Sequence, residues 1–122
     1  MANEITITGS LVLNRSAIPK YSDSMKYSGI QITQTGSDYQ SGSQNIGTSE
    51  ENLAKGDIGT IGWFCLKNLD ASNYVTIGTT STQLPIKVLA GQAVGPVYVD
   101  AANVIVLANT SAVNVEYLLI EK

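Results

Sequence analysis

Apolar and polar residues alternate along most of this chain, in short runs closed by Gly, Asn, Asp and Pro. A period of two over four to eight residues marks half-buried β-strands. Ile5, Ile7, Leu11 and Leu13 fall on one parity, and Glu4, Thr6, Thr8, Ser10 and Asn14 on the other. Gly9 in the middle of that run predicts a bulge or bend. Arg15 to Met25 carries Ser16, Pro19, Ser22, Asp23 and Ser24 and reads as a loop; strand character resumes from Tyr27 to Thr35. Thr35 to Gly47 is rich in Gly, Ser and Gln, which favours an exposed loop or weak edge strand. Thr48 followed by Glu51, with Gly56 beyond, fits either a brief capped helical turn or a short strand.

From Thr60 to Leu69, Ile61, Trp63, Cys65 and Leu69 share one parity while Phe64 and Leu66 take the other. With both faces covered, this segment reads as a central strand. Asp70, Ser72 and Asn73 form an Asx-type turn, and Tyr74 to Gly78 is expected to return antiparallel as a hairpin. Leu84, Ile86 and Val88, then Val94 to Val99, Val104 to Ala108 and Val113 to Leu119 supply further strands, with Pro85 and Pro96 suited to edges or strand ends. About eight strands without crossover helices predict an all-β, antiparallel β-sandwich. A jelly roll is the leading topology and an immunoglobulin-type sandwich the runner-up, lacking the Cys, Trp, Cys pattern. The expectation is one domain over 1–122 with a docking arm at 1–8.

Composition narrows the function. Charged residues make up 14% of the 122, against roughly 25% in ordinary soluble domains, so Ser, Thr, Asn, Gln and Gly must form much of the surface. With a net charge of −3 and seven scattered Lys and Arg, the chain offers no basic stripe for nucleic acid. It contains neither a run of apolar residues long enough for a membrane span nor an N-terminal signal-peptide pattern. The absence of histidine removes the commonest general acids and bases and the usual nucleophile partners, so a non-enzymatic role without cofactors is expected. Cys65, the single cysteine, reads as a buried inert thiol.

Asp57, Asp70 and Asp100 each sit in turns, where carboxylates could gather calcium, yet no Asp-x-Asp-x-Asp spacing occurs and ordinary turn chemistry accounts for them. Glu50 and Glu51 are adjacent and are not expected to face one another as a glycosidase pair. Gly56, Gly59 and Gly62 lack the Gly-Lys-Ser/Thr of a phosphate loop. The remaining candidates for recognition are Tyr21, Tyr27 and Tyr39, tyrosines in the polar first part of the chain that can stack on sugar rings or anchor a protein neighbour.

Several runs carry a further signal: Gln44 to Glu51, Gly56 to Phe64, Lys67 to Asp70, Asn73 to Gly78, Leu89 to Gln92 and Val115 to Ile120. Together they resemble the pattern of small structural proteins of tailed-bacteriophage virions over roughly the last two thirds of the chain. The resemblance implies a jelly-roll-like capsid decoration or cement protein, made in the host bacterial cytoplasm and resident in the virion. It would bind the outside of the head, tie capsomers together through the major capsid protein or another virion protein, and assemble as a homotrimer. A carbohydrate- or receptor-binding module, associated with a tail or fibre, is the competing expectation.

Overall fold

The computed structural model describes residues 4–15 and 21–122, with side chains at 12–15 and 21–24 outside that description. Among the described residues there are ten strands and no helix: β1 (Ile5–Arg15), β2 (Tyr21–Ile32), β3 (Tyr39–Ile46), β4 (Glu51–Asn52), β5 (Ile61–Asn68), β6 (Val75–Gly78), β7 (Ile86–Val88), β8 (Ala93–Ala101), β9 (Ile105–Ala108) and β10 (Val113–Glu121). The chain divides into two compact units, one ending at Gln34 and the other spanning Thr35–Lys122. The eight-stranded sandwich is therefore built from Thr35–Lys122. Of the arm expected at 1–8, residues 1–3 lie outside the described residues and Ile5 to Thr8 belong to β1.

The first unit is a two-stranded antiparallel ribbon of β1 and β2, in register from Ile5↔Ile32 to Arg15↔Tyr21. This corrects the two ends of the loop expected from Arg15 to Met25, whose middle, 16–20, lies outside the described residues: Arg15 closes β1 and Tyr21 to Met25 open β2, because cross-strand pairing overrides the local preference of Ser22, Asp23 and Ser24 for turns. The register shifts between Ile7 and Gly9, beside the expected irregularity, but β2 supplies the extra residue. Gly29 takes φ +67°, and its N–H donates to Thr8 Oγ1 at 3.4 Å. A glycine in the left-handed region is the hallmark of this bulge type. The bulge resets the parity of β2, so Ile32, Ile30, Tyr27 and Met25 pair with Ile5, Ile7, Gly9 and Leu11 on one face. Tyr27 lies over Gly9, its hydroxyl where a Cβ would sit 2.7 Å away. Ile5 and Ile7 are buried, whereas Leu11 and Met25 are 77% and 69% exposed.

The second unit consists of two four-stranded sheets, β3-β10-β5-β8 and β4-β9-β6-β7, antiparallel throughout. Inward residues of both sheets share one core, including Ile46, Phe64, Leu66, Val115 and Leu119 from the first and Val75, Ile77, Val88 and Val106 from the second. β5 is central, as its two-sided pattern predicts, and Tyr39–Ile46 forms an edge strand. The segment after Thr48 resolves as the short strand β4. The hairpin expected from β5 into β6 does not form. β5 pairs with β10 and β8 while β6 pairs with β7 and β9, so the 70–73 turn carries the chain from one sheet to the other. That turn is nevertheless the Asx structure expected: the Asp70 carboxylate accepts the Ser72 and Asn73 N–H groups at 3.0 and 2.6 Å. No helix among the described residues is long and apolar enough to cross a membrane.

Candidate binding face

On β10, buried Val113, Val115, Tyr117 and Leu119 point inward, which sends Asn114, Glu116, Leu118 and Ile120 to the outer face of the sheet. On β5, Phe64 and Leu66 point inward and Trp63, Cys65 and Lys67 outward. Ile61 shares Trp63's sequence parity yet is fully buried, because both ladders shift register at Gly62: against β10 it is an extra residue, and against β8 it faces both Val99 and Asp100. Only glycine fits there, since a Cβ would meet the Lys122 backbone at 2.9 Å and the Tyr98 ring at 3.3 Å.

Cross-strand register arranges the outward residues in rows. Tyr39 pairs with Ile120, Ile120 with Trp63 and Trp63 with Tyr98, so one apolar and aromatic row crosses all four strands. The next row runs from Ser41 through Leu118 to Cys65, and a third from Ser43 through Glu116 and Lys67 to Ala93. Asn45 and Asn114 follow, joined by Asn45 Nδ2 donating to Asn114 Oδ1 at 2.8 Å. Trp63 and Tyr98 meet edge to face, with centroids 5.3 Å apart at 66°. Tyr39 is 70% exposed and Tyr98 46%.

Below the aromatic row the face opens into a groove of about 640 Å³, lined by Ser41, Ser43, Cys65, Lys67, Gly95 and Glu116 among others. Its room comes from small residues on the edge strands and from a bulge in β8, where Gly95 and Pro96 stand opposite Cys65. Gly95 adopts φ +105°, and a Cβ there would lie 2.5 Å from the Phe64 carbonyl oxygen. Cys65 is half-buried on this outer face, not enclosed in the core as expected. Partial burial pushes its thiol up from the ordinary range, which keeps it protonated and poorly nucleophilic.

Of the tyrosines singled out from the sequence, Tyr39 joins this row, Tyr27 covers Gly9 in the ribbon, and the Tyr21 side chain lies outside the described residues. Sequence reasoning missed Trp63 and Tyr98 as partners of Tyr39. The opposite parities of Trp63 and Phe64 were visible, but the register that aligns three distant strands was not. The carboxylates are engaged elsewhere. Glu50 accepts from Ser81 Oγ and the Thr82 N–H, both at 2.7 Å; Glu51 accepts from Gln44 Nε2 and the Gly47 N–H, both at 3.0 Å. Asp100 pairs with Lys122 at 2.9 Å on the surface. Among the described residues no three His, Cys, Asp or Glu side chains cluster to hold a metal ion. No family model, no curated protein and no solved structure matches the chain.

Proposed function

We propose that this chain is a structural protein of a tailed-bacteriophage virion, a capsid decoration protein that binds the outside of the head and stabilises contacts between capsomers. The observation that carries the reading is the β1-β2 ribbon, a compact unit with an apolar face that leaves Leu11, Met25 and Ile30 exposed. An isolated two-stranded ribbon is marginal in water, and exposed apolar side chains along one face suit a docking element. The sandwich supports the same reading. From β3 to β10 the chain changes sheet at every connection except β6 to β7, and this winding, with the orders β3-β10-β5-β8 and β4-β9-β6-β7, supports a jelly-roll reading. The motif resemblance points the same way, with the major capsid protein as partner and a homotrimer as the assembled form.

The test is co-sedimentation with phage heads that lack the protein, followed by thermal disruption of the decorated heads. Wild-type chain should sediment with heads and raise their disruption temperature, and Leu11→Ser with Met25→Ser should lose both effects. Heads that neither bind the chain nor gain stability from it would rule the reading out. A carbohydrate- or receptor-binding role is the second reading, favoured by the aromatic row Tyr39, Ile120, Trp63 and Tyr98.

A further inference from the structure

We infer that the outer face of the β3-β10-β5-β8 sheet binds a neutral oligosaccharide, its rings stacked along the Tyr39, Ile120, Trp63 and Tyr98 row and its hydroxyls bonded from the adjoining groove. The inference rests on the second reading above and is independent of the virion assignment. It begins with the shape of the row. Strands lie about 4.8 Å apart, so Tyr39 and Trp63 stand roughly 10 Å apart and Tyr39 and Tyr98 roughly 14 Å. That span seats a short chain of pyranose rings, whose C–H faces are apolar and whose rims carry hydroxyls. Aromatic side chains with one apolar body and one polar tip match both features.

The flanking chemistry carries no net charge. Ser41, Ser43, Asn45 and Asn114 offer hydroxyl and amide groups, and the charges on and beside the face are paired, Lys67 with its cross-strand partner Glu116 and Lys122 with Asp100 at 2.9 Å. A polyanion finds no excess cation here, and a polycation no excess anion, which favours a neutral ligand. Size separates a glycan from a protein partner. Four strands of eight to nine residues give a face of roughly 19 by 26 Å, about 500 Å², below the roughly 800 Å² per partner of a standard protein interface. The apolar stripe is also narrow, one full row with only Leu118 and Cys65 behind it, whereas protein interfaces centre on a broader apolar core. A groove of about 640 Å³, by contrast, lies in the ordinary range for small-ligand sites.

Trp63 is the chain's only tryptophan, so its fluorescence reports this face alone. The experiment titrates the full chain with cellohexaose, laminarihexaose, fully N-acetylated chitohexaose and maltohexaose up to about 10 mM, above the millimolar range of weak binding. At least one should shift Trp63 emission saturably. Tyr39→Ala and Tyr98→Ala, both at exposed edge-strand positions, should weaken that binding roughly three- to ten-fold each. Tyr74→Ala, in the turn before β6, should leave it unchanged, with circular dichroism verifying each fold. No saturable shift with any of the four would overturn the proposal, as would binding indifferent to Tyr39 and Tyr98. An emission change that follows protein concentration without sugar would assign the face to self-association and overturn it as well. Failure here leaves head binding untouched, since that assay reads the ribbon.

Discussion

Asn68 is fully buried at the end of β5, where its amide ties three segments together. Nδ2 donates to the carbonyls of Asn73 at 2.9 Å and Val88 at 3.1 Å, while Oδ1 accepts the Asp70 N–H at 2.8 Å. Replacement by Ala strands buried backbone groups and should cost about 2–3 kcal/mol. Asn68→Asp keeps the shape but sets a carboxylate against two carbonyl oxygens, and should cost more. Urea unfolding should show both as a lower midpoint at constant slope, and an Asp variant as stable as wild type would contradict the network. Glu121 acts at the surface. Its carboxylate accepts N–H groups from Gly59, Asp38 and Ser37, and these bonds hold its pKa below the ordinary 4.5. A depressed folded value stabilises the native state fully above the unfolded value and loses that contribution as pH falls through the folded one. Stability should therefore decline as pH drops below about 4.5, and Glu121→Gln should flatten that decline in a pH series of urea midpoints. The Asp70 carboxylate, lowered mainly by the Asn73 N–H and then by that of Ser72, contributes in the same sense.

The strands themselves were largely legible, because Val113, Val115, Tyr117 and Leu119 alternate with polar neighbours and need only one buried face to do so. Apart from the irregularity signalled by Gly9, the bulges were not legible, and they decide the faces. Val94 and Val97 have opposite parity, yet both pack toward the core because Gly95 and Pro96 together oppose Cys65. A slip of one residue inverts every side chain beyond it, so a local pattern can assign the strand and still misplace half of it. The aromatic row was hidden for the same reason: three distant strands align it. Sheet membership was hidden too, since an Asx turn such as 70–73 looks alike whether it returns the chain in one sheet or passes it to another. The bulge glycines make the point testable. Gly95→Ala adds a Cβ in a left-handed conformation and against the Phe64 carbonyl, and should cost about 3 kcal/mol. Gly91→Ala, at φ +73° with nothing within 4 Å, carries only the conformational penalty of about 1 kcal/mol. Equal losses in thermal or urea unfolding would mean that the close approach at Gly95 is relieved without effect.

Across the whole sandwich, the end of the chain supplies the middle of both sheets. β10 lies between β3 and β5, and β9 between β4 and β6. Among the described residues β3 has no other ladder partner, so the edge strand that carries Tyr39 exists only once β10 has arrived. Such long-range pairing delays the reward for ordering the chain, and refolding should fall in the millisecond-to-second range typical of non-local β topologies. It also concentrates stability in the last strand. Val113, Val115, Tyr117 and Leu119 are each 6% exposed or less, and burial of such side chains contributes about 1.5–3 kcal/mol apiece. Their sum is comparable to the 5–15 kcal/mol that holds a typical domain folded. A chain ending at Ala112 should therefore lose the whole sandwich and not merely one strand. It should show no cooperative unfolding, and Trp63 emission should shift to that of a solvated indole. A cooperative transition persisting in that variant would mean that β3, β5 and β8 can form a sheet without the strand that separates β3 from β5. The aromatic row would then lose its register, because Ile120 is the residue through which Tyr39 is aligned with Trp63.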